Sequence, residues 1–104
     1  MRLNEDGQDE RGKTHARLLH TIVDDARTVL AALAQRPGTW LTYEDLADEA
    51  NVRKLGGALR SISIQSDILQ MSQPIERRRN TTLRKLEYSM PASISARIIR
   101  ITEG

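Results

Sequence analysis

The spacing of apolar residues shifts from a helical to a strand period partway along this chain, and that change limits the folds open to it. Leu18, Leu19, Ile22, Val23, Ala26, Val29, Leu30 and Leu33 fall on one side of a helical period, and Val52, Leu55, Leu59 and Ile62 do so again. After Pro74 the repeat shortens to two, with Leu86, Tyr88 and Met90 alternating. Helices first and a β-hairpin afterwards place the chain in the α+β class.

Capping and turn residues divide the helical part. Thr14 is the candidate N-cap of a helix reaching about Gln35, where Pro37 and Gly38 stop it; alternatively, Asp24 and Asp25 open a second, shorter helix after a break. Thr39, Trp40 and Leu41 are too few and too β-prone for a helix and read as a brief strand, with Trp40 a core anchor. Thr42 then caps a helix with Glu44 and Asp45 in its first turn, ending near Ala50 and Asn51. The next helix begins almost at once, about Arg53, and bends or ends between Ser63 and Ser66. Ile64, Ile68, Leu69 and Met71 then need a home in a short continuation helix or against a partner subunit.

Residues 75–79 and 83–90 read as the two arms of the hairpin, around Asn80, Thr81 and Thr82. Pro91 fits the first turn of a last helix whose apolar edge is Ile94, Ile98 and Ile101. Residues 1–13 offer almost nothing to bury after Leu3, so they are expected to form a disordered tail ahead of one domain over 14–104.

Composition narrows the chemistry. At 104 residues the chain has room for one small core, which excludes large catalytic folds. Without Cys it has no disulfide, thiolate nucleophile or Cys-based zinc site, which suits a cytoplasmic location. The longest apolar run, residues 29–34, is far short of a membrane span. His15 and His20 are five apart and lack the spacing that brings two imidazoles to one helical face, so no metal or cofactor is expected. The carboxylates of Asp24, Asp25, Glu44, Asp45, Asp48 and Glu49 are explained by helix dipoles and solvation, so no catalytic residue is expected.

Charge is segregated along the chain. Residues 1–52 carry six cations against ten acids, a net −4, whereas residues 53–85 carry eight against two, a net +6. A concentrated basic stretch inside the folded region is an electrostatic footprint for a polyanion; the competing reading is a solvated basic face.

The order helix, short strand, helix, tight turn, helix, hairpin resembles the winged helix-turn-helix family over about residues 25–90. The local run Leu41-Thr42-Tyr43-Glu44-Asp45-Leu46-Ala47, with Gly56-Gly57-Ala58-Leu59-Arg60 after it, also looks like the winged-helix part of the alkylguanine-DNA alkyltransferases. Their Pro-Cys-His-Arg nucleophile segment is absent, because Pro74 is followed by Ile75, Glu76 and Arg77. The resemblance therefore implies a winged-helix scaffold with an N-terminal helical extension and a C-terminal helix, and no alkyl transfer.

It also implies double-stranded DNA as partner, a recognition helix at about 53–63 and a wing at about 75–90. Arg53, Lys54, Arg60 and Ser61 are the candidates for base edges and phosphates in a major groove. Arg77, Arg78, Arg79, Asn80, Arg84 and Lys85 are the candidates for phosphates or a narrow minor groove. Two glycines inside a helix cost it about 2 kcal/mol relative to alanines, so something needs Gly56 and Gly57 bare, one reason being close approach of another backbone. A homodimer joined through the first helix or the Ile94, Ile98, Ile101 edge would read two half-sites about one helical turn apart. The alternative function is a protein-interaction module on the same scaffold, favoured by Ile64 and Ile68 on the outward side of the third helix.

Overall fold

The computed structural model describes residues 15–103, so Thr14 and the expected tail over 1–13 lie outside the described residues. The first helical segment resolves in favour of a break. Helix α1 covers residues 15–21 and α2 covers Asp24–Ala34, with Ile22 and Val23 between them. Arg27 holds the joint: its Nη1 donates to the carbonyls of Leu19 at 2.8 Å and Ile22 at 2.9 Å. The C-terminal carbonyls of a helix lack intrahelical partners, and here a side chain from the next helix supplies donors near that end. Val23 offers no side-chain cap to α2, so Asp24 and Asp25 in its first turn are what its dipole meets.

Ala26, Val29, Leu30, Leu33 and Ala34 of α2 are buried, and α2 is the central helix against which α3, α4 and α5 pack. The chain leaves it through Gly38, whose φ of +77° favours glycine. Its N–H donates to the Met90 carbonyl at 2.9 Å, tying the end of α2 to the end of the hairpin.

Strand β1 is Leu41–Thr42, starting two residues later and ending one later than the expected Thr39 to Leu41. Helix α3 covers Tyr43–Ala50, with the Thr42 hydroxyl accepting from the Asp45 N–H at 3.2 Å, and it ends at Asn51 in the left-handed region.

Helix α4 covers Leu55–Ile68, which corrects both expected ends. It starts two residues after Arg53, and it runs straight through Ser63 to Ser66. The reason is the stripe Ala58, Ile62 and Ser66, four residues apart and all buried: Ser66 faces inward with the core side chains. The helix stops instead by a Schellman turn, with Gln70 at φ 56°. There the Met71 N–H donates to the Ser66 carbonyl and the Gln70 N–H to that of Asp67, each at 3.0 Å. Ile64 and Ile68 thus belong to this helix, and both are exposed.

The Ser66 hydroxyl has no hydrogen-bond partner among the described residues. A buried hydroxyl left unsatisfied is destabilising, so Ser66→Ala is expected to raise unfolding free energy by about 1 kcal/mol in urea titrations. A loss of that size would show that the hydroxyl is satisfied in solution.

Strands β2 (Glu76–Asn80) and β3 (Lys85–Ser89) form the hairpin, and β1 joins it to give the antiparallel order β1-β3-β2. Leu41 pairs with Tyr88 and Thr42 with Glu87, as expected of a strand that closes onto a wing. The alternation holds at Tyr88 and Met90, which are buried, and fails at Leu86, which is 38% exposed because the hairpin has left the core by then.

Helix α5 covers Ala92–Glu103 and packs on α2, where Ser95 Oγ donates to the Ala34 carbonyl. Ile98 is fully buried, with Ile94 and Ile101 half-buried against the same core. The edge expected to pair two protomers therefore closes this chain's own core, as does the α2 stripe. Three helices, a short strand and a hairpin in this order and pairing make a winged helix-turn-helix, with α1 as extension and α5 as C-terminal helix.

Candidate nucleic-acid interface

Helices α3 and α4 form the helix-turn-helix, and the joint between them is fixed by a tyrosine. The Gly56 N–H, in the first turn of α4, donates to the Tyr43 hydroxyl at 2.9 Å. A Cβ on Gly56 would lie 3.4 Å from that oxygen, so the close neighbour here is a side chain and not the expected backbone. Gly57 has open space around it and faces outward, leaving bare backbone on the exposed side of α4.

Arg53 and Lys54 precede α4, in the turn, rather than occupying its first turn. Arg60 lies on its exposed face, and Ser61 is half-buried beside it. None of the three cations is ion-paired among the described residues. Their charges are therefore presented outward around the N-terminal half of α4.

The wing separates its cations into two groups. Residues directly opposite in an antiparallel pair share a face. Arg77 opposite Tyr88 and Arg79 opposite Leu86 share one face; Arg78 opposite Glu87 and Asn80 opposite Lys85 share the other. On the second face the charges are internally satisfied. Arg78 donates to Glu87 at 2.8 Å, and its guanidinium lies 4.2 Å from the ring centre of Trp40. Lys85 reaches Glu44 of α3 at 3.0 Å.

Trp40 is thus not the core anchor expected: half-exposed, it serves as the platform for Arg78. Sequence spacing could not have found that partner, because the two residues meet only through the β1-β3-β2 order.

Arg77, Arg79 and Arg84 have no ion-pair partner among the described residues and are exposed. Arg77 stands closest to α4: with Tyr88, Leu59, Ile62, Ser63, Gln73 and Ile75 it lines a groove of about 350 Å³ between helix and wing. Burial pushes the Tyr88 phenol above its ordinary pKa, and the nearby Arg77 charge pulls the other way. Arg77 of β2 and the Leu59, Ile62 and Ser63 flank of α4 therefore border one groove.

Glu87 explains why Arg78 is held. Only 6% exposed, it takes the Arg78 guanidinium on one oxygen and the Asn80 amide, at 3.1 Å, on the other. The Arg78 hydrogen bond first, and that from Asn80 second, hold its carboxyl below the usual range, against the opposing effect of burial. A depressed carboxylate contributes stability above its unfolded pKa of about 4.3, and that stability is lost as pH falls through the lower folded value. Glu87→Gln should therefore be less stable than the parent near pH 7, with the gap closing in melts taken at progressively lower pH below 4. A gap constant over that range would mean that the wing pair carries no stability.

Among the described residues no cluster of His, Cys, Asp and Glu is placed to hold a metal, and no helix is long and apolar enough to cross a membrane. No protein-family profile matches the chain, and no curated protein matches it. Among solved structures it is similar to the crystal structure of the S. aureus MepR–DNA complex, with a TM-score of 0.60 at 16% identity over 99% of this chain and 82% of that one. The likeness is one of fold, and it spans the extension and the C-terminal helix as well as the winged helix-turn-helix between them.

Proposed function

We propose that this chain is a non-enzymatic, cytoplasmic DNA-binding regulator. It lays the outward face of α4 in a major groove while the wing grips the adjoining backbone or minor groove. The observation that carries this reading is the sorting of wing charge. Arg78 and Lys85 are spent on internal partners, whereas Arg77, Arg79 and Arg84 stay unpaired, and Arg77 borders the same groove as α4. Together with Arg53, Lys54 and Arg60 they give six outward cations, in the turn before α4, on α4 and on the wing, that a duplex would meet. Arg60 suits a base edge and Arg53 and Lys54 suit phosphates; bare backbone at Gly57 permits close approach. The chain shares the fold of MepR, which that structure holds in complex with DNA, and this supports DNA as the partner.

Asn80 and Ser61 take positioning roles in this reading: Asn80 shapes the wing tip, and Ser61 lies next to Arg60. A homodimer is part of the proposal, resting now on exposed Val23, since the edges first expected to pair protomers are core. A mobility shift with random-sequence duplex at low salt tests the function. Retarded complexes that weaken as salt rises are expected, and free duplex at every protein concentration would overturn it.

The second reading, a protein-docking module, is favoured by one observation: Ile64 and Ile68 stand 43% and 64% exposed along the C-terminal half of α4. It predicts a protein partner whose binding is abolished by charge substitutions at Ile64 and Ile68, and no retardation of duplex DNA by the parent.

A further inference from the structure

The tip of the wing carries a leucine with no structural reason to be there. Leu83 lies in the turn over residues 81–84 and is 53% exposed, at the end of a hairpin that has already left the core. The turn is nevertheless held in shape. Asn80 Oδ1 accepts from the Leu83 N–H at 3.0 Å, while Asn80 Nδ2 donates to the buried Glu87 at 3.1 Å. One side chain thus ties the tip to the sheet, and Arg84 completes the turn with a φ of 55° in the left-handed region. An apolar side chain held outward on a braced turn loses little further freedom on binding.

Arg79 and Arg84, both unpaired among the described residues, flank this leucine in the turn and the adjoining strand. An apolar protein surface would not match that charge, whereas a nucleic-acid groove does: phosphates line its rims and stacked bases its floor. A minor groove is about 6 Å wide and 7.5 Å deep, which admits a leucine with arginines against its walls. Apolar side chains inserted there unstack base steps, most cheaply at pyrimidine–purine steps.

We propose that Leu83 is a minor-groove wedge: it partly unstacks one base step beside the sequence met by α4, so that the protein selects deformable steps there and bends the duplex. This rests on the DNA-binding reading above. It adds a determinant of sequence preference that makes no hydrogen bond to a base.

The test is enrichment of duplexes from a random-sequence pool by the parent, Leu83→Ala and Leu83→Met. A second readout is the fluorescence of 2-aminopurine placed in the parent's enriched duplex. The parent should enrich a pyrimidine–purine step at one fixed distance from the rest of its site, preferred by about fivefold or more, and 2-aminopurine there should brighten on binding. Leu83→Ala should keep the rest of the site, lose the preference at that step and lose the brightening; Leu83→Met should restore both.

The wedge alone is overturned if the parent binds without brightening, or if Leu83→Ala enriches the same step as strongly. Leu83-dependent binding to phosphatidylserine vesicles, with duplex binding indifferent to Leu83, would assign the tip to lipid and overturn it too. A parent that binds no duplex at all removes the DNA reading and the wedge with it.

Discussion

Changing Arg77 and Arg79 together to Ser is expected to weaken duplex binding by about a hundredfold at moderate salt, for specific and random sequences alike. Each cation that neutralises a phosphate adds about −0.9 to the slope of log affinity against log salt, so the double variant should flatten that slope by nearly two units. The fold should be untouched, because neither side chain is ion-paired among the described residues and both are exposed. Arg78→Ser makes the contrasting control. That arginine is held by Glu87 and Trp40, so its loss should lower the melting temperature and leave the salt slope nearly unchanged. Identical salt slopes for the parent and the Arg77/Arg79 variant would take the wing out of DNA contact. Fluorescence anisotropy over a salt series measures it.

The largest effect on stability is expected at Ile98. Its side chain is fully buried in the contact of α5 with α2, and cutting it to Ala removes apolar contacts and leaves a cavity. Such truncations cost about 2–5 kcal/mol. In a domain of this size each kcal/mol lowers the melting temperature by about 4–8 °C. The decisive feature is concentration: because Ile98 closes this chain's own core, the loss should be the same at low and high protein concentration. A deficit that shrinks as protein concentration rises would instead place Ile98 between two copies.

Ile98 and the wing arginines also illustrate what the sequence could and could not disclose. Ile94, Ile98 and Ile101 were legible as an apolar edge from spacing alone. Whether that edge met another copy or its own core depended on α2 offering a second face, which no local pattern states. Helix α3 was legible nearly to the residue, since Thr42 caps it and Asn51 ends it by local chemistry. The far end of α4 was not, because Ser66 reads as a helix interruption and becomes core only in the packed fold. In the wing, strand period and charge marked the hairpin and its cations. The division of those cations into bound and free required register: one residue of slip would have put Arg77 and Arg79 on the Glu87 side and Arg78 on the other.

In the DNA-binding reading, α4 and the wing form one contiguous surface for a duplex. Mapping backbone amide chemical shifts while titrating a short duplex into labelled protein tests it most directly. Perturbations should gather at residues 53–61 and 77–85 and saturate together as one binding event. Shifts centred on Ile64 and Ile68 and sparing Arg60 and Arg79, or no shifts at all at low salt, would contradict it.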